Sequence, residues 1–127
     1  MKLMVFGTFD DLHPGHEYVF QSALDRGEVY AVVARDANVM KIKGRAPLQI
    51  EQERMAAIQR MFPDIHVLLG DAENFLAPVH AVQPDLILLG YDQKLPPGIS
   101  EEQLGVPIER LAAFHPEIHK SSLRRKT

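Results

Sequence analysis

Cysteine is absent from the 127 residues, which excludes a disulfide framework, thiolate metal sites and cysteine nucleophile chemistry. No apolar run approaches the roughly 20 residues that span a bilayer. The N-terminal MKLMVFG runs almost at once into Asp10 and Asp11, unlike a signal peptide. Excess charge of one sign is missing too: a formal charge of -3 argues against a surface built for nucleic acid. There is no internal repeat, linker or low-complexity segment. What is present is 46% apolar and 24% charged residues, the ordinary balance of a soluble globular protein. The length fits one domain, residues 1–127, and leaves little room for a second. A cytoplasmic single domain with neither a nucleic-acid nor a membrane partner is the starting expectation.

Short apolar runs recur along the chain with helix-like stretches between them. Residues 3–6 form a run that ends in Gly7, and 29–34 (VYAVVA) is rich in β-branched residues; both read as buried strands. Residues 65–69, 85–89 and 106–111 supply three more strand candidates. Helices are predicted over 14–26, with Tyr18, Val19, Ser22 and Ala23 on one face, over 48–61 and over 73–82. The stretch RDANVMKIKGRAP reads as a polar loop, and SSLRRK as the start of a terminal helix. Continuous apolar strands alternating with helices imply a parallel sheet covered on both faces. Right-handed crossovers then favour a Rossmann-like, doubly wound five-stranded α/β sheet of order 3-2-1-4-5. In that order strands one and four meet at the switch point, where ligands bind beyond the carboxyl ends. Both end in glycine, Gly7 and Gly90, and are followed by the most chemically loaded loops in the chain, TFDDLHPGH and YDQK.

His13 and His16 lie three apart across a helix start, so their rings can face one side. Pro14 suits the first helical turn, and Gly15 lets a ligand approach the backbone. The helix mouth adds free N–H donors and partial positive charge, a setting for phosphate. A capped helix with two surface histidines is the plain alternative. A metal site with Asp10 or Asp11 as third ligand is another, although no HExxH spacing supports zinc. A dinucleotide-cofactor site lacks its GxGxxG.

GTFD followed by HPGH resembles the signature of the cytidylyltransferase-like nucleotidyltransferase superfamily. VVARDANVMKIKGRAPL, EQER and LLGYDQK further resemble the small archaeal-type FAD synthetases, which are FMN adenylyltransferases. Glycerol-3-phosphate cytidylyltransferases are similar in scaffold. The likeness runs from residue 3 to about 125, with HPGH marking the superfamily and GYDQK with KGRAP the subfamily.

The resemblance implies that a phosphate monoester attacks the α-phosphate of a nucleoside triphosphate and pyrophosphate leaves. The attacking phosphate, with a second pKa of about 6, is already largely dianionic at neutral pH, so positioning and charge stabilisation replace a general base. It implies that His13 and His16 hold the triphosphate, while Gly7, Thr8 and Phe9 contact the nucleotide and Gly15 gives room. Lys41 and Lys43, with Lys43 favoured, would reach phosphates from a mobile cationic lid; Arg45 would do the same or pair with a neighbouring acid. Asp10 and Arg54 are further phosphate or acceptor candidates, Arg54 having an exposed helix position as its alternative. Asp36 would orient the acceptor or cap the loop. Gly90 and Asp92 would face the ribose and base.

The tail departs from the usual ISSTxIR: Ser121 and Ser122 match the hydroxyl positions, Lys120 replaces a small residue, and Arg124 and Arg125 compete for the arginine's register. His115 and His119 read as structural. The implied cation is Mg2+, held mainly by substrate and water without a dedicated protein cage.

Three functions follow. The first is transfer of AMP from ATP to FMN, giving FAD and pyrophosphate. The second is a CTP-dependent cytidylyltransferase acting on glycerol 3-phosphate or another small phosphorylated alcohol. The third is a nucleotide-binding module without turnover. Phe9, Tyr18 and Met40 are candidate lining for a flavin ring, and a homodimer is compatible with the family.

Overall fold

Five parallel strands are laid down in the order β3-β2-β1-β4-β5. In this computed structural model the described residues are 1–91 and 93–112. They form β1 (Lys2–Gly7), α1 (Pro14–Leu24), β2 (Glu28–Val33), α2 (Asp36–Lys43), α3 (Glu51–Met61), β3 (His66–Leu69), α4 (Ala77–Val82), β4 (Leu86–Leu89), α5 (Glu101–Leu104) and β5 (Ile108–Arg110). The expected strand order, parallel pairing and sequence of strands are all observed.

β1 is central because both of its faces are apolar. Leu3 and Val5 point to one side, where α1 contributes Phe20 and Ala23 and α3 contributes Ile58. Met4 and Phe6 point to the other, against Val79 of α4 and Leu104 of α5. Strand pleating alone separates these two cores, since successive side chains alternate sides. β1 pairs with β2 along its whole length, Lys2 with Glu28 through Gly7 with Val33. Its pairing with β4 stops earlier, at Val5 and Leu88. A wedge therefore opens between the carboxyl ends of β1 and β4, at the switch point.

Several local expectations are corrected. The predicted polar loop after β2 contains the helix α2, with Asp36 in its first turn, Lys41 and Lys43 in its last, and Gly44 closing it at φ 74°. Acid at the start, base at the end and glycine just past it are helix signals that outweigh weak apolar periodicity in so short a segment. α1 stops at Leu24, and its buried residues are Phe20 and Ala23. α3 buries Arg54 and Ile58, while the apolar Ile50 and Met61 at its two ends are exposed. Residues before α4 form a turn in place of helix, because the Asp71 carboxylate accepts the Glu73 and Asn74 N–H groups. α5 was not anticipated; Ser100 and Gln103 cap it reciprocally. Among the described residues, no helix is long and apolar enough to cross a membrane. The proposed terminal helix lies outside the described residues.

Candidate active site

The turn after β1 is shaped by one ring. Phe9 adopts φ 53°, which folds its side chain back under Gly7 and into the core at 5% exposure. A Cβ on Gly7 would meet the Phe9 ring at 2.9 Å, so the glycine that ends β1 makes room for phenylalanine. Phe9 then packs on Phe20, with centroids 4.8 Å apart, and presents its ring edgewise to His16. As a flavin-lining side chain it is corrected: the ring is core. Its backbone stays at the crevice.

His13 is the N-cap of α1, and the two histidines cap each other's backbone. His13 Nδ1 accepts the Gly15 N–H at 3.1 Å, and His16 Nδ1 accepts the His13 N–H at 3.3 Å. The rings stack with centroids 3.7 Å apart and planes 23° from parallel. Because each Nδ1 is an acceptor, each neutral ring carries its proton on Nε2. Two Nε2–H donors thus stand side by side at the mouth of α1, where the helix dipole favours an anion although the Gly15, His16 and Glu17 N–H groups are already taken by His13. A Cβ on Gly15 would lie 2.9 Å from His13 Cε1; the residue provides space for the His13 cap.

Burial, reinforced by the neighbouring charges of His13 and Lys43 and opposed by Asp10 and Asp11, lowers the His16 pKa to about 4. At neutral pH His16 is therefore a neutral hydrogen-bond donor. Lys43, in the last turn of α2, is exposed and acts electrostatically on both His16 and Asp10. Lys41 and Arg45 are exposed on the same segment, and neither pairs with a carboxylate among the described residues.

Two candidates are given different work by the structure. Asp10 accepts the Leu48 N–H at 2.7 Å and the Gln49 N–H at 2.9 Å, one on each carboxylate oxygen. Burial raises its pKa, but these bonds with Arg54 and Lys43 prevail and hold the carboxyl below its ordinary value. It fastens the segment behind α2 to the turn after β1. Arg54 is fully buried, which overturns its exposed-helix alternative. Its guanidinium donates to Thr8 O at 2.7 Å, Gln49 O at 3.0 Å and Asp36 Oδ1 at 2.7 Å. It holds the Thr8 carbonyl in the turn after β1. Asp36 stands in the first turn of α2 but caps nothing, the N-cap being Arg35; its carboxylate is the partner of Arg54.

Gln49, Gln93 and Arg110 were missed as crevice-building residues. Gln49 Oε1 accepts the Asp11 N–H at 3.0 Å. Gln93 Nε2 donates to Phe6 O at 2.8 Å while its Oε1 accepts the Gly90 N–H at 3.0 Å. Arg110 Nη1 donates to Gln93 O at 2.6 Å and Gly90 O at 2.9 Å. Gln93 stands in the YDQK loop already singled out; Arg110 carries no local signal. Asp92, Ser121, Ser122 and Arg124 lie outside the described residues, as do His115, His119 and Lys120.

A glycine-ended central strand, paired imidazoles at the next helix mouth and a lysine whose charge acts on His16 define a nucleotidyltransferase-type corner. The cytidylyltransferase-like family model matches residues 4–116, and the chain belongs to that family. Among curated proteins it is similar to the FAD synthase of Methanosphaerula palustris, 40% identical over 104 residues, or 81% of this chain and 67% of that one. It is 34% identical over 123 residues to the FAD synthase of Methanospirillum hungatei, 96% of this chain and 78% of that one. A third FAD synthase, from Methanoculleus marisnigri, is 42% identical over 94 residues, 73% of this chain and 62% of that one. The crystal structure of a lipopolysaccharide core biosynthesis protein from Thermoplasma volcanium superposes with a TM-score of 0.81 at 30% identity, covering 91% of this chain and 98% of that one.

Proposed function

We propose that this chain is an FMN adenylyltransferase, moving AMP from ATP to FMN and releasing pyrophosphate. The observation that carries the chemistry is the mutually capped histidine pair, with both Nε2–H donors at a helix mouth, within the field of Lys43. Three relatives named FAD synthase support the flavin acceptor.

In this reaction an oxygen of the FMN phosphate forms a bond to the α-phosphorus of ATP. The bond from that phosphorus to the bridging oxygen breaks, and its electrons leave on pyrophosphate. The attacking phosphate is already largely dianionic at neutral pH, so no side chain has to remove a proton. His13 and His16 donate from Nε2 to the triphosphate, where charge grows as pyrophosphate departs. A neutral His16 makes this a directional contact that persists across physiological pH. Lys43 offsets negative charge from the α2 side, and the Gly7–Thr8 backbone, held by Arg54, flanks the nucleotide. Gly90 flanks the base and ribose; the roles that the family resemblance implies for Asp92, Ser121, Ser122 and Arg124 fall on residues outside the described ones.

Among the described residues, no three carboxylate or histidine groups converge as a metal cage, and each Asp10 oxygen already accepts a backbone N–H. A Mg2+ ion would here be held mainly by the substrate's triphosphate and by water, and would supply charge neutralisation.

Mass spectrometry of products tests the assignment. The protein with magnesium and pyrophosphatase receives ATP or CTP, each with FMN or glycerol 3-phosphate. FAD from ATP plus FMN alone, lost in His16→Ala, is the expected result. CDP-glycerol in its place would move the chain to cytidylyl transfer. Nucleotide binding with no product in any mixture would mean a binding module or another acceptor.

A further inference from the structure

Beyond Val5 and Leu88 the two central strands part. On one side Gly7 O accepts the Ala34 N–H, following β2; on the other Leu89 O accepts the Leu111 N–H, following β5. The parting leaves an acceptor on β1, Phe6 O, and a donor on β4, Gly90 N–H, facing a gap. A primary carboxamide offers one donor and one acceptor in the same plane, as a peptide group does. Gln93 places its carboxamide there, donating to Phe6 O at 2.8 Å and accepting from Gly90 N at 3.0 Å. Arg110, from the end of β5, faces the carbonyls of Gly90, Tyr91 and Gln93 with a single Nη1.

We propose that Gln93 is a positioning residue of the nucleotide crevice. Its carboxamide substitutes for the missing peptide contact between β1 and β4 and holds the Gly7 and Gly90 turns at a set separation, with Arg110 locking the turn that carries it. The nucleotide part of this statement rests on the function proposed above. The polar edges of the wedge are satisfied by the protein, so they do not compete with the ligand. Recognition is left to the turn that Gln93 and Arg110 hold.

Two variants test this. Gln93→Met keeps the length of the side chain and removes both hydrogen bonds. In the free protein, Gly90 amide exchange should quicken at least about tenfold, because exchange reports local opening. The ATP dissociation constant should rise about 10- to 30-fold, on the order of two lost hydrogen bonds, with the melting midpoint moving only a few degrees.

Gln93→Glu keeps the acceptor but, when ionised, turns a carboxylate oxygen toward Phe6 O. It should bind ATP about as poorly as Gln93→Met near pH 8. As pH falls toward about 5 and the carboxyl protonates, its O–H can donate to Phe6 O while the other oxygen accepts from Gly90. Its affinity relative to the unsubstituted protein should then recover to within about threefold, while Gln93→Met shows no recovery. A purely stabilising residue would not give that pH-dependent rescue. Unchanged Gly90 exchange in Gln93→Met, or ATP affinities within about twofold of the unsubstituted protein at every pH, would overturn the proposal. If the unsubstituted protein bound neither ATP nor CTP, the proposed function would fall, and Gly90 exchange would still decide whether Gln93 joins the strands.

Discussion

Two four-residue turns face each other across the switch point, and they are held in opposite ways. Residues 13–16 are fixed from within: both capping bonds and the ring stack join residues no more than three apart. Gly90 and Gln93 are bonded to each other but also need distant partners, Phe6 being 87 positions away and Arg110 up to 20. The difference separates chemistry from support. The first turn supplies directional donors on a short, self-consistent motif. The second supplies a shape, and its parts come from three strands.

The largest effect expected is on the first turn. His16→Gln keeps an acceptor at the third helical position, so the reciprocal cap can persist, but a flexible amide NH2 replaces the Nε2–H donor that the ring holds in a fixed place. Removing one donor aimed at developing charge typically lowers kcat by about 10²- to 10³-fold, or about 2.7–4 kcal/mol. Steady-state rates should show that loss in kcat, with a melting midpoint close to the unsubstituted protein. An equal fall in stability would mean that the turn is not self-contained.

The support beneath Thr8 sharpens the same distinction. Asp36→Ala removes one charge-assisted bond from a fully buried guanidinium. Arg54 keeps its carbonyl partners, Thr8 and Gln49, and Asp36 itself is 38% exposed. Urea unfolding should therefore register a loss of about 2 kcal/mol, short of the cost of orphaning a charge entirely. The folded fraction should keep kcat within a few-fold, because the histidines do not lean on Arg54. On the opposite turn, Arg110→Met should cost less, because Arg110 is exposed and water can replace its bonds to the carbonyls. A rise of roughly fivefold in the ATP dissociation constant corresponds to about 1 kcal/mol and is the expected size.

The same contrast explains what sequence could disclose. Strand order followed from apolar runs and chirality, since a parallel sheet buried on both faces leaves long local signals. The histidine corner was legible because its logic is complete within HPGH. Lys43 was distinguishable only by family likeness; its effect on His16 depends on α2, whose short helix was hidden in a polar stretch. Arg54 and Asp10 looked like free charges because their partners, Thr8 and the Leu48–Gln49 backbone, are 46, 38 and 39 residues away. Gln93 was passed over for the aspartate beside it, because an uncharged side chain announces nothing until two strands are seen to part. Local patterning reveals elements and short motifs. Fastenings between loops become visible only when the sheet brings their ends together.

The smallest effect expected is the pH response of the helix mouth. His16 has a folded pKa of about 4 against an ordinary 6.5, so the unfolded chain binds its proton more readily. Stability tied to this residue is fully present above about pH 6.5 and declines as pH falls through the folded value near 4. Screening of a half-exposed ring keeps the contribution to about 1 kcal/mol or less. Urea midpoints at pH 7 and about 4.5 should thus differ slightly more in the unsubstituted protein than in His16→Gln, which cannot titrate there. Catalysis should follow another group across that window. With His16 neutral on both sides of pH 6, the fall in kcat/KM on acidification should track protonation of the acceptor phosphate, whose second pKa is about 6. A steep inflection removed by His16→Gln would instead mean that the imidazole itself titrates, and would remove the case for a neutral donor at the mouth of α1.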